Sequence, residues 1–157
     1  MKQITEYLST KVAQTKIKAT NKTIYQIVRD ELDRLGHDAD LNHIDVSEVT
    51  NMNNLFSCGG GVLNRKYVDL NSDISQWDVS NVETMNYMFW FCKNFNCDIS
   101  QWNVSKLKYM KGMFWFCENF NQDLSQWDTR SIKVKYDRDD VFDHCHIKEK
   151  YMPKFDI

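Results

Sequence analysis

Long hydrophobic runs are missing from this chain, and no stretch approaches the roughly 20 apolar residues of a membrane-spanning helix. The N-terminus, MKQITEYLSTKVAQTKIKATNK, holds neither the apolar core nor the small-residue cleavage site of a secretory signal. We therefore expect a cytoplasmic protein. In that reducing compartment the five cysteines, an odd number, are expected to be thiols rather than disulfides.

Signals for nucleic-acid binding, metal binding and catalysis are also scarce. The net charge of −2 argues against electrostatic capture of nucleic acid or of an anionic membrane. No Cys-x-x-Cys exists, and the His-Cys-His triplet at 144–146 cannot easily aim three ligands at one metal ion. The glycines at 59–61 lack the lysine spacing of a phosphate-binding loop, and the sequence gives no reason to pair any of the four histidines with a nucleophile. The sequence predicts no enzyme, no cofactor and no metal.

What the chain does have is an internal repeat. Its 157 residues, 42% hydrophobic and 13% aromatic, suffice for one globular domain. The segments LNSDISQW, FNCDISQW and FNQDLSQW begin at Leu70, Phe95 and Phe120, so that their tryptophans are 25 residues apart. A shortened copy with Ile44 at the tryptophan position precedes them. A fixed period of this length is typical of a solenoid, here of about four coils.

Each coil combines two kinds of pattern. Apolar residues at 85, 88, 89 and 92, and again at 110, 113, 114 and 117, follow the i, i+3, i+4, i+7 spacing of a short helix. The DISQW and DLSQW segments are predicted to be short extended pieces. The fold class predicted from these patterns is an α/β solenoid with an N-terminal helical cap.

The two ends differ from the repeats, as solenoid ends should. Thr20 is the predicted N-cap of a helix that runs to about Leu35 and ends at Gly36. We predict a helical cap at 1–40, the repeats at 41–146 and a polar tail at 147–157. A longer connection in the first coil carries Arg65 and Lys66 and is predicted to be a projecting loop.

Three columns of polar or sulfur side chains recur at the repeat period and are interpreted as structural. Asparagines are expected to form a ladder of backbone hydrogen bonds, and aspartates to cap nearby amides rather than to bind calcium. The aligned cysteines are expected to be buried. The columns are Asn71, Asn96 and Asn121; Asp73, Asp98 and Asp123; and Cys92, Cys117 and Cys145.

The pattern F-N-x-D-[IL]-S-Q-W-D-V-S-N-V, with M-F-x-x-C after it, resembles the palindromic amphipathic repeat of bacterial and mycoplasmal surface proteins, a relative of BspA-like leucine-rich repeats. ATNKTIYQIVRDEL and DADLNHIDVSEVTNM are similar to the segment that precedes these repeats, so the resemblance covers roughly residues 18–146. It implies a leucine-rich-repeat-like, right-handed β/α superhelix and a role in interaction rather than catalysis.

The motif MFWFC, at 88–92 and 113–117, also carries aromatic residues that the repeat does not require. At 100° per residue, the inner Trp-Phe pair points away from the buried helix face, and the two copies would stack side by side. Exposed aromatic rings are typical of binding surfaces. We call the following set the aromatic stripe: Tyr87, Trp90, Phe91, Trp115 and Phe116. Burial of these rings within the monomer is the alternative interpretation.

These observations predict a non-enzymatic protein–protein interaction module that uses the aromatic stripe, with Arg65 and Lys66 as a second contact. The partner is another protein or a second copy of the chain. An intracellular adaptor or inhibitor, such as a phage-encoded blocker of a host defence enzyme, is one version. Two alternatives stay open: a carbohydrate-binding or adhesion module in which the rings stack on sugars, and an enzyme whose site is not visible in the sequence.

Overall fold

The computed structural model describes residues 16–59 and 68–155. Their regular elements are strand β1 (Ile17–Lys18), helix α1 (Ile24–Leu35), strand β2 (Ile44–Asp45) and the 3₁₀ helices Lys135–Arg138 and Glu149–Tyr151. β1 and β2 form a parallel two-stranded sheet in which Ile17 pairs with Ile44. The predicted loop residues Arg65 and Lys66 lie outside the described residues.

The predicted α/β solenoid, with its leucine-rich-repeat-like right-handed β/α superhelix, is wrong. Among the described residues, the regular α and β structure consists of one α-helix and one two-stranded sheet, and both lie in the N-terminal part. The repeats run mostly through turns instead. Neither the helices predicted around 85–92 and 110–117 nor the extended DISQW segments form.

The backbone of the repeats explains why an apolar helix pattern produces no helix. The Met88 N–H donates to the Met85 carbonyl at 3.2 Å and closes a local turn, whereas the next N–H, of Phe89, donates to the Met113 carbonyl of the following repeat at 2.9 Å. A helix would instead bond each N–H to the residue four positions back. Left-handed φ at Tyr87, 56°, also interrupts a right-handed helix. Met85, Met88 and Phe89 are nevertheless fully buried, as predicted.

Helix α1 is amphipathic, and its apolar face joins the same core as the repeats. Its buried residues are Ile24, Val28, Glu31 and Leu32. The predicted N-cap, Thr20, lies one turn too early, because the N-cap is Thr23, although the Ile24 N–H does bond to the Thr20 carbonyl at 2.9 Å. The end was predicted correctly: Gly36 adopts a φ of 95° and donates its N–H to Leu32.

The core consists of side chains stacked from one repeat to the next. One column of phenylalanine rings, nearly parallel, has centroid separations of 5.5, 5.5 and 5.6 Å along Phe56, Phe89, Phe114 and Phe142. A second column holds the repeat tryptophans, each of which donates its indole N–H to a carbonyl of the preceding repeat at 2.9–3.2 Å. These are Trp77, Trp102 and Trp127. Each repeat therefore buries its apolar surface against its neighbours.

The polar columns have the structural roles predicted for them. The Asn71 side-chain oxygen accepts the Asn96 N–H at 2.9 Å, and the Asn96 oxygen accepts the Asn121 N–H at 3.0 Å. Each aspartate of the second column accepts the N–H of the serine two residues on, at 3.0 Å. The side-chain oxygens of both columns therefore accept hydrogen bonds from backbone N–H groups, and these bonds stabilise the turns.

The segment after residue 146 is packed against the fourth repeat, the one that contains Trp127. Its contacts include the Tyr151 carbonyl, which accepts the Leu124 N–H at 2.8 Å, and the Lys154 carbonyl, which accepts the Thr129 hydroxyl at 2.6 Å. Pro153 is buried. The polar tail predicted at 147–157 is thus bonded to the repeats over its described part, although the domain boundaries themselves stay a prediction.

Candidate interaction surface

The aromatic stripe consists of two ring stacks that join adjacent repeats. The Trp90 and Trp115 rings are nearly parallel, with centroids 5.5 Å apart and an interplanar angle of 12°. The Phe91 and Phe116 rings are closer, at 4.5 Å and 15°. The predicted side-by-side arrangement is therefore present, but the residues that carry it lie on turns and not on helices. Tyr87 joins the set through its ring, 5.8 Å from that of Trp90.

Several stripe residues hold a backbone conformation that bulky side chains rarely adopt. The φ angles of Tyr87, Phe91 and Phe116 are 56°, 64° and 60°. Left-handed backbone costs roughly 1–2 kcal/mol for a residue with a Cβ. Strain of this kind persists only where the surrounding contacts impose it, and it concentrates at functional sites. Here the ring stacks and the hydrogen bonds between repeats hold it in place.

The stripe is partly covered by the chain itself. All five of its side chains are partly buried, whereas the exposed large apolar side chains of the described residues lie elsewhere: Ile17, Leu35, Tyr109, Val134 and Tyr136. The Tyr87 ring lies over Gly112, and the Trp90 ring over Gly59, so closely that a Cβ at either glycine would meet the ring at 2.5–2.8 Å. Whether a partner covers the remaining ring surface stays a prediction.

The indole N–H groups of the stripe differ from those of the core tryptophans. Trp90 Nε1 and Trp115 Nε1 are buried, and neither has a hydrogen-bond partner among the described residues. Ser57, which takes the place of Trp90 in the first copy, likewise has a buried hydroxyl without a partner. An unpaired buried donor costs about 1–3 kcal/mol. Ring packing alone therefore holds these two indoles.

A histidine that the sequence reasoning missed extends the second stack. The His144 ring lies 4.3 Å from the Phe116 ring, at an interplanar angle of 2°, and is mostly exposed. Alignment of VFDHC with MFWFC places His144 at the repeat position of Phe116, so the signal was present in the sequence. The stack therefore has three members, one from each of three consecutive repeats.

A cavity of about 410 Å³ borders the stripe at Phe91. The described residues that line it are Cys58, Gly59, Val68, Phe91 and Lys93. The Lys93 ammonium pairs with the Glu118 carboxylate at 2.7 Å. The sequence did not indicate this cavity, because it forms where the first and second repeats meet.

The cysteines near this cavity lie in two different environments. Cys58 Sγ is 3.8 Å from Cys92 Sγ. A hydrogen bond from the Cys92 thiol lowers the pKa of Cys58, whereas burial raises the pKa of Cys92 well above its ordinary value. Burial likewise raises the pKa of Cys117. Cys92 and Cys117 are both fully buried, as predicted. Cys145, the third aligned cysteine, is only partly buried.

Neither a metal cluster nor a membrane span emerges from the described ranges, 16–59 and 68–155. No group of three or more His, Cys, Asp or Glu side chains in them could hold a metal ion. No helix in them is both long and apolar enough to cross a membrane.

Comparison with known proteins gives one match. The family model described as "Mycoplasma protein of unknown function, DUF285" matches residues 26–154. The matched region begins inside α1 and includes every repeat and the packed C-terminal segment. No curated protein and no solved structure matches the chain.

Proposed function

Because the chain belongs to this Mycoplasma family of unknown function, DUF285, its function has to be inferred from its surface, and we propose that it is a non-enzymatic protein-binding module that uses the aromatic stripe. The observation that carries the proposal is the pair of ring stacks, Trp90 on Trp115 and Phe91 on Phe116, the second of which is on left-handed backbone. The stripe residues are not members of the buried core, although Phe91 packs against it.

The physical properties of the stripe suit a protein partner. Its rings are already ordered by stacking, so a partner would lose little side-chain entropy in binding them. Tryptophan and tyrosine dominate the binding energy of protein interfaces, especially when they are partly buried near the centre of the contact. Each ring retains some exposed surface that a partner would remove from water.

We also propose the narrower relationship to the palindromic amphipathic repeats of surface proteins. Three copies of the F/L-N-x-D-[IL]-S-Q-W pattern support it, because its aspartate, serine and tryptophan positions make the same hydrogen bonds in successive copies. The cytoplasmic location and the adaptor or inhibitor role stay proposals as well.

The test is quantitative affinity purification from a lysate of the native host, with the full chain as bait. In the test variant, Phe91→Asn with Phe116→Asn, asparagine removes both rings yet tolerates the left-handed backbone of these positions. The matched control, Tyr109→Asn with Tyr136→Asn, removes two rings that are more exposed, at 45% and 64%.

We expect the test variant to lose a partner protein by at least about 30-fold, the effect of a loss of about 2 kcal/mol. The control variant should retain it. Urea unfolding of both variants shows that each is folded. Equal recovery of the partner by the two variants would contradict the proposal, and so would binding that a polysaccharide competes away.

A further inference from the structure

Two thiols from adjacent repeats meet beside the cavity. Cys58 belongs to the first repeat and Cys92 to the second, and their sulfur atoms are 3.8 Å apart. A disulfide has an S–S length of about 2.0 Å, so the sulfurs would have to approach by roughly 1.8 Å. The two residues already share a partner, because both thiols lie within hydrogen-bonding distance of the Phe56 carbonyl.

The two thiols differ in access. Cys58 is 3% exposed and lines the cavity of about 410 Å³, whereas Cys92 is fully buried and is not among the lining residues. A small oxidant that enters the cavity therefore meets Cys58 first. This arrangement gives the two thiols different roles, since Cys58 can be reached from the cavity and Cys92 can be reached from Cys58.

The electrostatics favour the same order of reaction. Only the thiolate is nucleophilic, and Cys58 is the one cysteine among the described residues whose pKa is lowered. Burial raises the pKa of Cys97 and of Cys145 to about 11. Lys93 also lines this cavity, but its ammonium is paired with the Glu118 carboxylate at 2.7 Å.

We propose that Cys58 and Cys92 form a reversible oxidisable pair in which Cys58 reacts with hydrogen peroxide in the cavity and Cys92 then closes a disulfide. In the first step the Cys58 thiolate attacks one peroxide oxygen, the O–O bond breaks, and the leaving hydroxide takes a proton to become water. In the second step the Cys92 sulfur attacks the Cys58 sulfenic acid, the S–O bond breaks, and a second water leaves. Two thiols and one peroxide thus give one disulfide and two waters.

The disulfide would join the first repeat to the second next to Phe91 and Gly59. Cys58 also donates its N–H to the Trp90 carbonyl at 2.9 Å, so a shift of Cys58 is transmitted directly to the stripe backbone. The proposal does not depend on partner binding, because the formation of the bond is measured on the isolated chain.

Trypsin separates all five cysteines, which makes the test direct. Cleavage after lysine and arginine places Cys58 in peptide 35–65 and Cys92 in peptide 67–93. Cys97, Cys117 and Cys145 fall in peptides 94–106, 112–130 and 139–148. The full chain is treated with a few equivalents of hydrogen peroxide, its free thiols are blocked with N-ethylmaleimide in denaturant, and the digest is analysed by mass spectrometry.

We expect peptides 35–65 and 67–93 to appear joined and two hydrogens lighter than their sum, and dithiothreitol to separate them again. Cys97→Ser, the matched control, should leave the crosslink unchanged, whereas Cys58→Ser and Cys92→Ser should each abolish it. A crosslink between Cys92 and Cys117, or peroxide consumption that leaves peptides 35–65 and 67–93 unlinked in a chain that circular dichroism shows to be folded, would overturn the proposal. Because the wild-type chain is tested first, the result does not depend on how well a variant folds.

Discussion

Replacing Gly112 with alanine would place a methyl group where the Tyr87 ring lies. The new Cβ would be 2.5 Å from Tyr87 Cε1 and 2.6 Å from Cδ1, whereas carbon atoms in contact prefer about 3.5–4.0 Å. The ring would therefore have to move by roughly 1 Å or leave its place over Gly112. A shift of that size would disturb the stripe, because Tyr87 also packs against Trp90.

Backbone conformation alone does not explain the glycine at this position. The φ angle is 57°, 56°, 57° and 57° at the equivalent positions Asn54, Tyr87, Gly112 and Asp140, and three of these residues carry a Cβ. The strain of left-handed alanine contributes about 1–2 kcal/mol. Overpacking against the Tyr87 ring contributes about 1–3 kcal/mol more, so Gly112→Ala should lower the free energy of unfolding by about 2–5 kcal/mol in total.

A double-mutant cycle separates the two contributions. Gly112→Ala is introduced into the wild-type chain and into the Tyr87→Ala chain, and urea unfolding of all four proteins is followed by tryptophan fluorescence. The backbone strain is the same in both backgrounds and cancels, so the coupling energy of about 1–3 kcal/mol reports the ring contact alone. Equal costs of Gly112→Ala in the two backgrounds would refute the placement of the Tyr87 ring over Gly112.

Three further substitutions test the hydrogen bonds of the fold. Trp102→Phe leaves a buried carbonyl without its indole donor and should cost about 1–3 kcal/mol in urea unfolding. Trp90→Phe removes a donor that has no acceptor among the described residues and should cost less, and the reverse order would contradict the assignment. Hydrogen bonds from Arg34 and then His43 lower the pKa of the buried Glu31 carboxylate. The stabilisation from this ionised carboxylate is present above the ordinary glutamate pKa of about 4.3 and is lost as the pH falls through the lowered pKa of the folded state. The free energy of unfolding, measured from about pH 6 to about pH 3, should therefore fall more steeply in the wild type than in Glu31→Gln. Parallel curves for the two proteins would contradict this role of Glu31.

The repeat could be read from the sequence, but the backbone that carries it could not. Apolar residues at i, i+3, i+4 and i+7 predict a helix when each N–H finds its partner within the segment. In this chain alternate N–H groups, such as that of Phe89, bond to the next repeat instead. The same apolar residues are buried in both arrangements, so the burial of Met85 and Met88 was predicted correctly while the secondary structure was wrong.

For the candidate site, the sequence predicted which rings stack on each other but not which other residues cover them. The 25-residue spacing was enough to place Trp90 beside Trp115 and Phe91 beside Phe116, since equivalent side chains of adjacent repeats must stack. It did not predict the covering of Trp90 by Gly59, because that contact joins repeats whose spacing is irregular.

The sequence by itself determined the period, the buried positions, the asparagine ladder and helix α1 with its end at Gly36, because each of these depends on local chemistry repeated along the chain. The tertiary structure decided three other features: turns in place of helices, the cavity beside Phe91, and the approach of Cys58 to Cys92. These depend on how one repeat sits on the next. The hydrogen bonds between repeats set that arrangement, and a pattern within a single repeat carries no record of them.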